Sequence, residues 1–196
     1  MRTVAVLLAA GRGQRLGAGR PKAFVELAGM TLLARAVATV EECPEVDGFV
    51  VVAPEGSEER ASEAMGRSEK GVPVVVGGPS RQSSVAAALT ALPERADVIV
   101  CHDVARPLAS PKLFSAVVAA VDRADGAIPV LPVTDTLKQV QGDEVTETVD
   151  RTDLVAVQTP QAFRREALMA AHRHADTVAS AGPATDDAAL LEAAGF

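Results

Sequence analysis

Short, nearly uninterrupted apolar runs alternate with longer stretches of mixed polarity along most of the chain. Five of these runs, Thr3–Ala9, Gly48–Ala53, Val72–Val76, Asp97–His102 and Gly126–Val133, are Val-rich and lack the alternation of a half-exposed strand. They read as strands covered on both faces. Between them, Thr31–Glu42, Ser57–Gly66, Ser80–Leu92 and Pro111–Arg123 carry helical patterns. Ser80 suits the N-cap of the third helix, and Ser110-Pro111 the start of the fourth, where Pro is favoured at the first helical position. Strand–helix alternation of this kind predicts right-handed crossovers and a doubly wound, mostly parallel α/β sheet. Ligands of such sheets bind beyond the carboxyl ends of the strands.

The pattern changes after Val133. Residues Thr134–Val157 show two alternating runs around Gln141-Gly142-Asp143, which predicts a β-hairpin. An isolated hairpin is marginal in water, so it is expected to pack against something, a partner subunit being one candidate. Helical stretches follow at Arg164–Ser180 and Asp186–Ala194, and the sequence stops at Gly195-Phe196. At 196 residues, one domain with a projecting arm at about 134–157 is the expectation.

Composition narrows the function. Aromatic residues make up only 3%, with no Trp and no Tyr, which excludes a base-stacking platform for single strands. A net charge of −7 argues against a large nucleic-acid footprint. Cys43 and Cys101 cannot make a disulfide framework and suggest a reducing compartment. The run Val4 to Ala10 breaks at Gly11 without a cleavage-site pattern, and no run approaches the ~20 apolar residues of a membrane span. A cytoplasmic protein is expected.

The segment that follows the first strand, LAAGRGQRLGAGRPK, is the most informative one. It carries Gly11, Gly13, Gly17 and Gly19 together with Arg12, Arg15, Arg20 and Lys22. The first acid of the chain is Glu26, so five of the 19 Lys and Arg residues (Arg2 included) lie where no nearby sequence carboxylate neutralises them. Glycines let backbone N–H groups approach phosphate oxygens, and the cations supply charge for a polyphosphate. Walker A is absent, and Gly11, Gly13 and Gly17 give G-x-G-x-x-x-G rather than the dinucleotide fingerprint.

Three further constellations accompany this loop. GGPSRQSSV, residues 77–85, joins a strand to a helix N-terminus, a place for polar ligand atoms and equally a common capped turn. HDVARP, residues 102–107, puts Asp103 at a strand end; it suits Mg²⁺, which takes one or two carboxylates with phosphates and water, or a simple pair with Arg106. His102 reads as structural or gating, and His172 and His174 as exposed on a late helix. In the arm, Asp135-Thr136-Leu137-Lys138, Asp150-Arg151-Thr152 and Gln158-Thr159-Pro160-Gln161 offer an Arg and hydroxyls for a second phosphate, or salt bridges and caps within the hairpin.

In their order along the chain, AAGRGQRLGAGRPKAF, GGPSRQSSV, HDVARP, DTLK, VDRTDL, QTPQAF and TDD resemble the 2-C-methyl-D-erythritol 4-phosphate cytidylyltransferase family over nearly all 196 residues. The resemblance implies a Rossmann-like fold of the nucleotide-diphospho-sugar transferase type and a homodimer built with the β-arm. It implies transfer of the cytidylyl group of CTP to a polyol phosphate, methylerythritol 4-phosphate, with Mg²⁺ and release of pyrophosphate. By position, Arg15 and Lys22 match transition-state stabilisers. Ala9, Ala10, Gly11 and Gly13 match the nucleotide loop. Gly78 and Ser84 match the cytosine segment, with Arg81 beside them, and Asp103 the metal-associated carboxylate. Thr136 and Arg151, with Thr159, match residues that position the acceptor. Pro79 stands where many members carry a polar residue. The family pattern continues with an N-I-K-[VI]-T-like string whose Lys also positions the acceptor phosphate, together with a further strand and helix, so a shortened sequence is the expected reading. The rival expectations are a cytidylyltransferase for another polyol phosphate, such as ribitol 5-phosphate, and an inactive nucleotide-binding regulatory protein.

Overall fold

The computed structural model describes residues 1–11, 21–71, 74–177 and 184–196. Its first strand, β1 (Thr3–Leu8), is buried along nearly its whole length, as an apolar run without alternation requires. After it come a 3-10 turn, Lys22–Phe24, and a small hairpin of β2 (Glu26–Leu27) and β3 (Met30–Thr31). Then follow α1 (Leu32–Glu42), β4 (Gly48–Ala53), α2 (Glu58–Met65), β5 (Val75–Val76), α3 (Arg81–Ala91), β6 (Val98–Asp103) and α4 (Pro111–Ala120). Short strands β7 (Gly126–Ala127) and β8 (Val130–Pro132) lead into the arm, β9 (Leu137–Gln141) and β10 (Glu144–Val149). The chain returns through β11 (Val155–Val157) and β12 (Gln161–Arg164) to α5 (Arg165–Thr177) and α6 (Asp187–Ala193).

The main sheet has the order β5-β4-β1-β6-β12-β7. β1 pairs in parallel with both β4 and β6, and β4 with β5. β12 runs antiparallel to β6 and β7. Helices cover both faces, and the alternation of side chains along β1 decides which residue serves which face. Ala5 and Leu7 join the core under α1, α2 and α4, which supply Leu33, Val37, Ala61 and Phe114. Val4 and Val6 point the other way, into the core under α3, α5 and α6 with Val85, Leu168 and Leu191. This is the doubly wound α/β sheet expected from the apolar pattern.

Local chemistry starts the helices where the sequence suggests. Ser80 accepts from the Ser83 amide and Ser83 returns a bond to the Ser80 amide, a reciprocal cap for α3. Ser110 caps α4, with Pro111 at its first turn. Asp186 caps α6 by accepting from the Ala189 amide at 2.9 Å.

Two expectations need correction. The run 126–133 is not one strand: β7 joins the main sheet, whereas β8 pairs antiparallel with β11 at the base of the arm. Pro129 lies between them and has no N–H to continue a ladder, while its carbonyl accepts from Gln158. The strand β12 lies where no strand was expected, immediately before a helix. The hairpin itself turns at Gly142, with φ +61°, as the Gln-Gly-Asp sequence predicts. Residues 178–180 of the helix expected over Arg164–Ser180, and residues 72 and 73 of the third expected strand, lie outside the described residues.

Candidate active site at the carboxyl edge of the sheet

Register brings the chemistry together. Leu8 at the end of β1 lies opposite Val52 of β4 on one side and Asp103 of β6 on the other. The chain leaving β1 therefore emerges between the turn after β4 and the HDVARP segment. Ala9 prolongs the strand edge by donating its amide to the Val52 carbonyl at 2.8 Å. Ala10 follows, half-buried, and Gly11 is exposed. Gly13 and Arg15 lie outside the described residues.

The Gly77-Gly78 turn closes against this loop. The Gly77 amide donates to Ala53, and a Cβ built on Gly77 would come within 2.5 Å of the Ala10 Cβ. At Gly78 a Cβ would meet Ser83 at 2.3 Å. Ser84 Oγ ties the turn down: it accepts from the Gly78 amide at 3.1 Å and donates to the Ser80 carbonyl at 2.8 Å. Both glycines are therefore dictated by close approach rather than by positive φ. Lys22 is half-buried at the start of its 3-10 turn, whose Ala23 and Phe24 are sunk in the core. No carboxylate pairs with Lys22 among the described residues.

On the other side of Asp103 lies a cleft of about 380 Å³, bounded by Arg81, Arg106, Gln158 and the amino end of α6 with Thr185 and Asp186. Asp103 is about a third exposed. Its Oδ1 lies 3.3 Å from Arg81 Nε, and its Oδ2 lies 3.7 Å from Arg106 Nε. The pair with Arg106 envisaged from the sequence is thus present but long, and it shares the carboxylate with Arg81. Arg106 also donates to Gln158. Thr159 is buried: its hydroxyl accepts from the Asp103 amide at 3.1 Å and is hydrogen-bonded to His102 Nδ1 at 3.0 Å.

His102 turns to the opposite face of β6, 1% exposed, with its ring edge-on to Phe114 at 5.0 Å. Burial pushes its pKa down to about 4, against the opposing pull of Asp103. It is a neutral structural residue at ordinary pH. His174 is exposed as expected, but His172 is not. His172 is buried and its Nε2 lies 3.3 Å from the Asp187 carboxylate. The helical pattern could not reveal a partner 15 residues further on.

Thr136 and Arg151 sit apart from this cleft, exposed on the arm. Arg151 donates to the Thr134 carbonyl across the arm's base, and Asp150 holds Thr152 in a local turn. The arm exposes Val140 and Val145, and its base exposes Leu131 and Val155. Gln158 and Gln161 line the cleft, and Asp187 is buried behind Arg81; the QTPQAF and TDD strings contain all three, but neither spacing nor charge along the chain marks their roles.

Among the described residues no three His, Cys, Asp or Glu side chains cluster as a metal cage, and no helix is long and apolar enough to cross a membrane. Residues 3–196 match the family model described as IspD, 2-C-methyl-D-erythritol 4-phosphate cytidylyltransferase. A protein of Rhodococcus jostii named 2-C-methyl-D-erythritol 4-phosphate cytidylyltransferase is 46% identical over 194 residues, which is 98% of this chain and 82% of that protein. A bifunctional enzyme IspD/IspF of Clavibacter michiganensis is 50% identical over 197 residues; the match takes in 97% of this chain but spans only 47% of the relative's length. The crystal structure of the 2-C-methyl-D-erythritol 4-phosphate cytidylyltransferase of Thermus thermophilus superposes with a TM-score of 0.79 at 35% identity, covering 100% of this chain and 86% of that one.

Proposed function

The chain belongs to the 2-C-methyl-D-erythritol 4-phosphate cytidylyltransferase family, and from that premise we propose how its sheet edge transfers a cytidylyl group from CTP to 2-C-methyl-D-erythritol 4-phosphate. The observation that supports the reading is the register of Leu8 between Val52 and Asp103, which puts the end of β1, with Ala9 and Ala10, beside one carboxylate and against the Gly77-Gly78 turn.

The acceptor is already a phosphate, so no protein nucleophile is needed. One of its oxygens forms a bond to the α-phosphorus of CTP while the bond from that phosphorus to the bridging oxygen breaks, releasing pyrophosphate. What the protein supplies is in-line positioning and positive charge where charge accumulates. Lys22 and Arg15 stabilise the departing pyrophosphate. The backbone of Ala9, Ala10, Gly11 and Gly13 cradles the triphosphate, and Gly78 and Ser84 border the cytosine. Arg81 steadies Asp103, and Arg106 and Thr159 border the acceptor cleft.

Asp103 suits a magnesium ion, because Mg²⁺ takes few protein carboxylates and completes its octahedron with phosphates and water. Its carboxylate is about a third exposed at the cleft, and the 3.7 Å contact of Oδ2 to Arg106 is long enough to leave that oxygen able to coordinate. Bound there, the ion would neutralise phosphate charge and orient the triphosphate.

Thr136 and Arg151 stand on an arm that displays apolar Val140, Val145, Leu131 and Val155. An arm of this kind gains stability by packing on another surface. In this reading two copies exchange arms, and Arg151 of each reaches the acceptor phosphate of the other. The whole of 1–196 then acts as one nucleotidyltransferase domain of a cytoplasmic homodimer.

Pyrophosphate release with CTP and Mg²⁺ tests the activity. Methylerythritol phosphate is expected to support turnover and ribitol 5-phosphate to support far less. Lys22→Ala lowers kcat by about 10²-fold or more while the fold persists, the typical effect of losing one preorganised charge donor. Turnover with ribitol 5-phosphate alone, or with neither acceptor, would overturn the assignment; an undiminished Lys22→Ala enzyme would remove that lysine from the chemistry.

A further inference from the structure

Asp187 has no part in the roles given above, yet it is the best-buried carboxylate among the described residues, 0% exposed at the first turn of α6. One oxygen lies 2.6 Å from Arg81 Nη1, and the other 3.3 Å from His172 Nε2. Burial pushes the Asp187 carboxyl up, but the His172 hydrogen bond and the Arg81 charge outweigh it and hold the group below the ordinary carboxylate range. It is therefore a fixed negative charge. Arg81 spans the gap from it to the site, because its Nε lies 3.3 Å from Asp103 Oδ1. The guanidinium also keeps a buried Nη2 with no hydrogen-bond partner.

That geometry is a compromise in favour of Asp103. Left to itself, an arginine beside a carboxylate closes into a short, two-pronged pair. Here one prong is taken by Asp187, and the contact to Asp103 stays single and long. We propose that Asp187 is a positioning residue that acts through Arg81: by anchoring the guanidinium at Nη1, it keeps the Asp103 carboxylate oriented toward the cleft and available to a cation carried by the triphosphate. The proposal rests on the reading of Asp103 as the metal-associated carboxylate.

Outer partners of a metal ligand typically change metal affinity by 10–100-fold when removed. Asp187→Asn is accordingly expected to raise the Mg²⁺ concentration needed for half-maximal CTP binding, followed by calorimetry on the full chain, by about tenfold. Saturating Mg²⁺ restores CTP binding. In an Arg81→Met background the same substitution adds no further shift, since the arginine that Asp187 restrains is gone. Arg81→Lys serves if Asp187→Asn does not fold: one ammonium cannot span both carboxylates, and the same rise in Mg²⁺ requirement is expected. A variant with the wild-type Mg²⁺ dependence overturns the proposal, and so do additive shifts in the double variant. If the wild-type chain binds no CTP at any Mg²⁺ concentration, the functional reading falls. A crystal structure of Asp187→Asn then still decides the positioning role. Arg81 closed onto Asp103 supports it, and an unmoved Arg81 refutes it.

Discussion

His102 and Asp103 are adjacent in the chain and opposite in environment. Strand alternation sends the imidazole into the core beside Phe114 and the carboxylate toward the cleft. The buried ring has consequences for stability. Its pKa is about 4 in the folded chain against 6.5 when unfolded, so between those values the unfolded state takes up a proton that the folded state refuses. This contribution is fully present above pH ~6.5 and is lost as pH falls toward 4, up to about 3 kcal/mol in all. Urea midpoints measured at pH 7 and pH 5 are expected to drop for the wild type and to change less for His102→Gln. Equal pH dependence in the two would refute the neutral buried histidine. The position of Asp103 at the carboxyl end of a strand was legible from the apolar run before it. Asp187 and His172 were not, because a buried ion pair is assembled across 106 residues in the case of Arg81 and Asp187, a distance no local pattern spans.

At the scale of elements, the apolar runs located β1, β4 and β6, and the caps at Ser80 and Ser110 located their helices. The weakly patterned pieces escaped. β12 is four residues long, QAFR, and is a strand because β6 and β7 flank it on either side. The β2–β3 hairpin has only two residue pairs, turning through Ala28 and Gly29 at positive φ. Such short strands take their structure from tertiary pairing rather than from propensity. The turn after β5 is the element on which the nucleotide reading leans most. Gly77→Ala would drive a Cβ to 2.5 Å from the Ala10 Cβ, so the two loops must part. We expect a folded protein whose CTP affinity, measured by calorimetry, falls at least tenfold, about 1.4 kcal/mol. Unchanged affinity would show that the contact between the loops does not shape the nucleotide site.

For the molecule as a whole, the arm and its base are the parts that a single chain does not explain. Its strands are exposed on both faces, including Val140 at 60% and Val145 at 61%. A protein that keeps such surface in water usually covers it with a partner. If arms are exchanged, Val145→Asp lowers the sedimenting mass from that of a dimer to that of a monomer, and Arg151→Ala raises the KM for the acceptor with little change in the KM for CTP. A monomeric wild type, or an Arg151→Ala enzyme with normal acceptor KM, would take the arm out of the site.

The most direct measurement is the electron density of the protein soaked with CTP and Mg²⁺. The triphosphate is expected along Ala9, Ala10, Gly11 and Lys22, with the ion beside Asp103 and the cytosine against Gly78 and Ser84. Nucleotide density at another surface, with this edge vacant, would contradict the account.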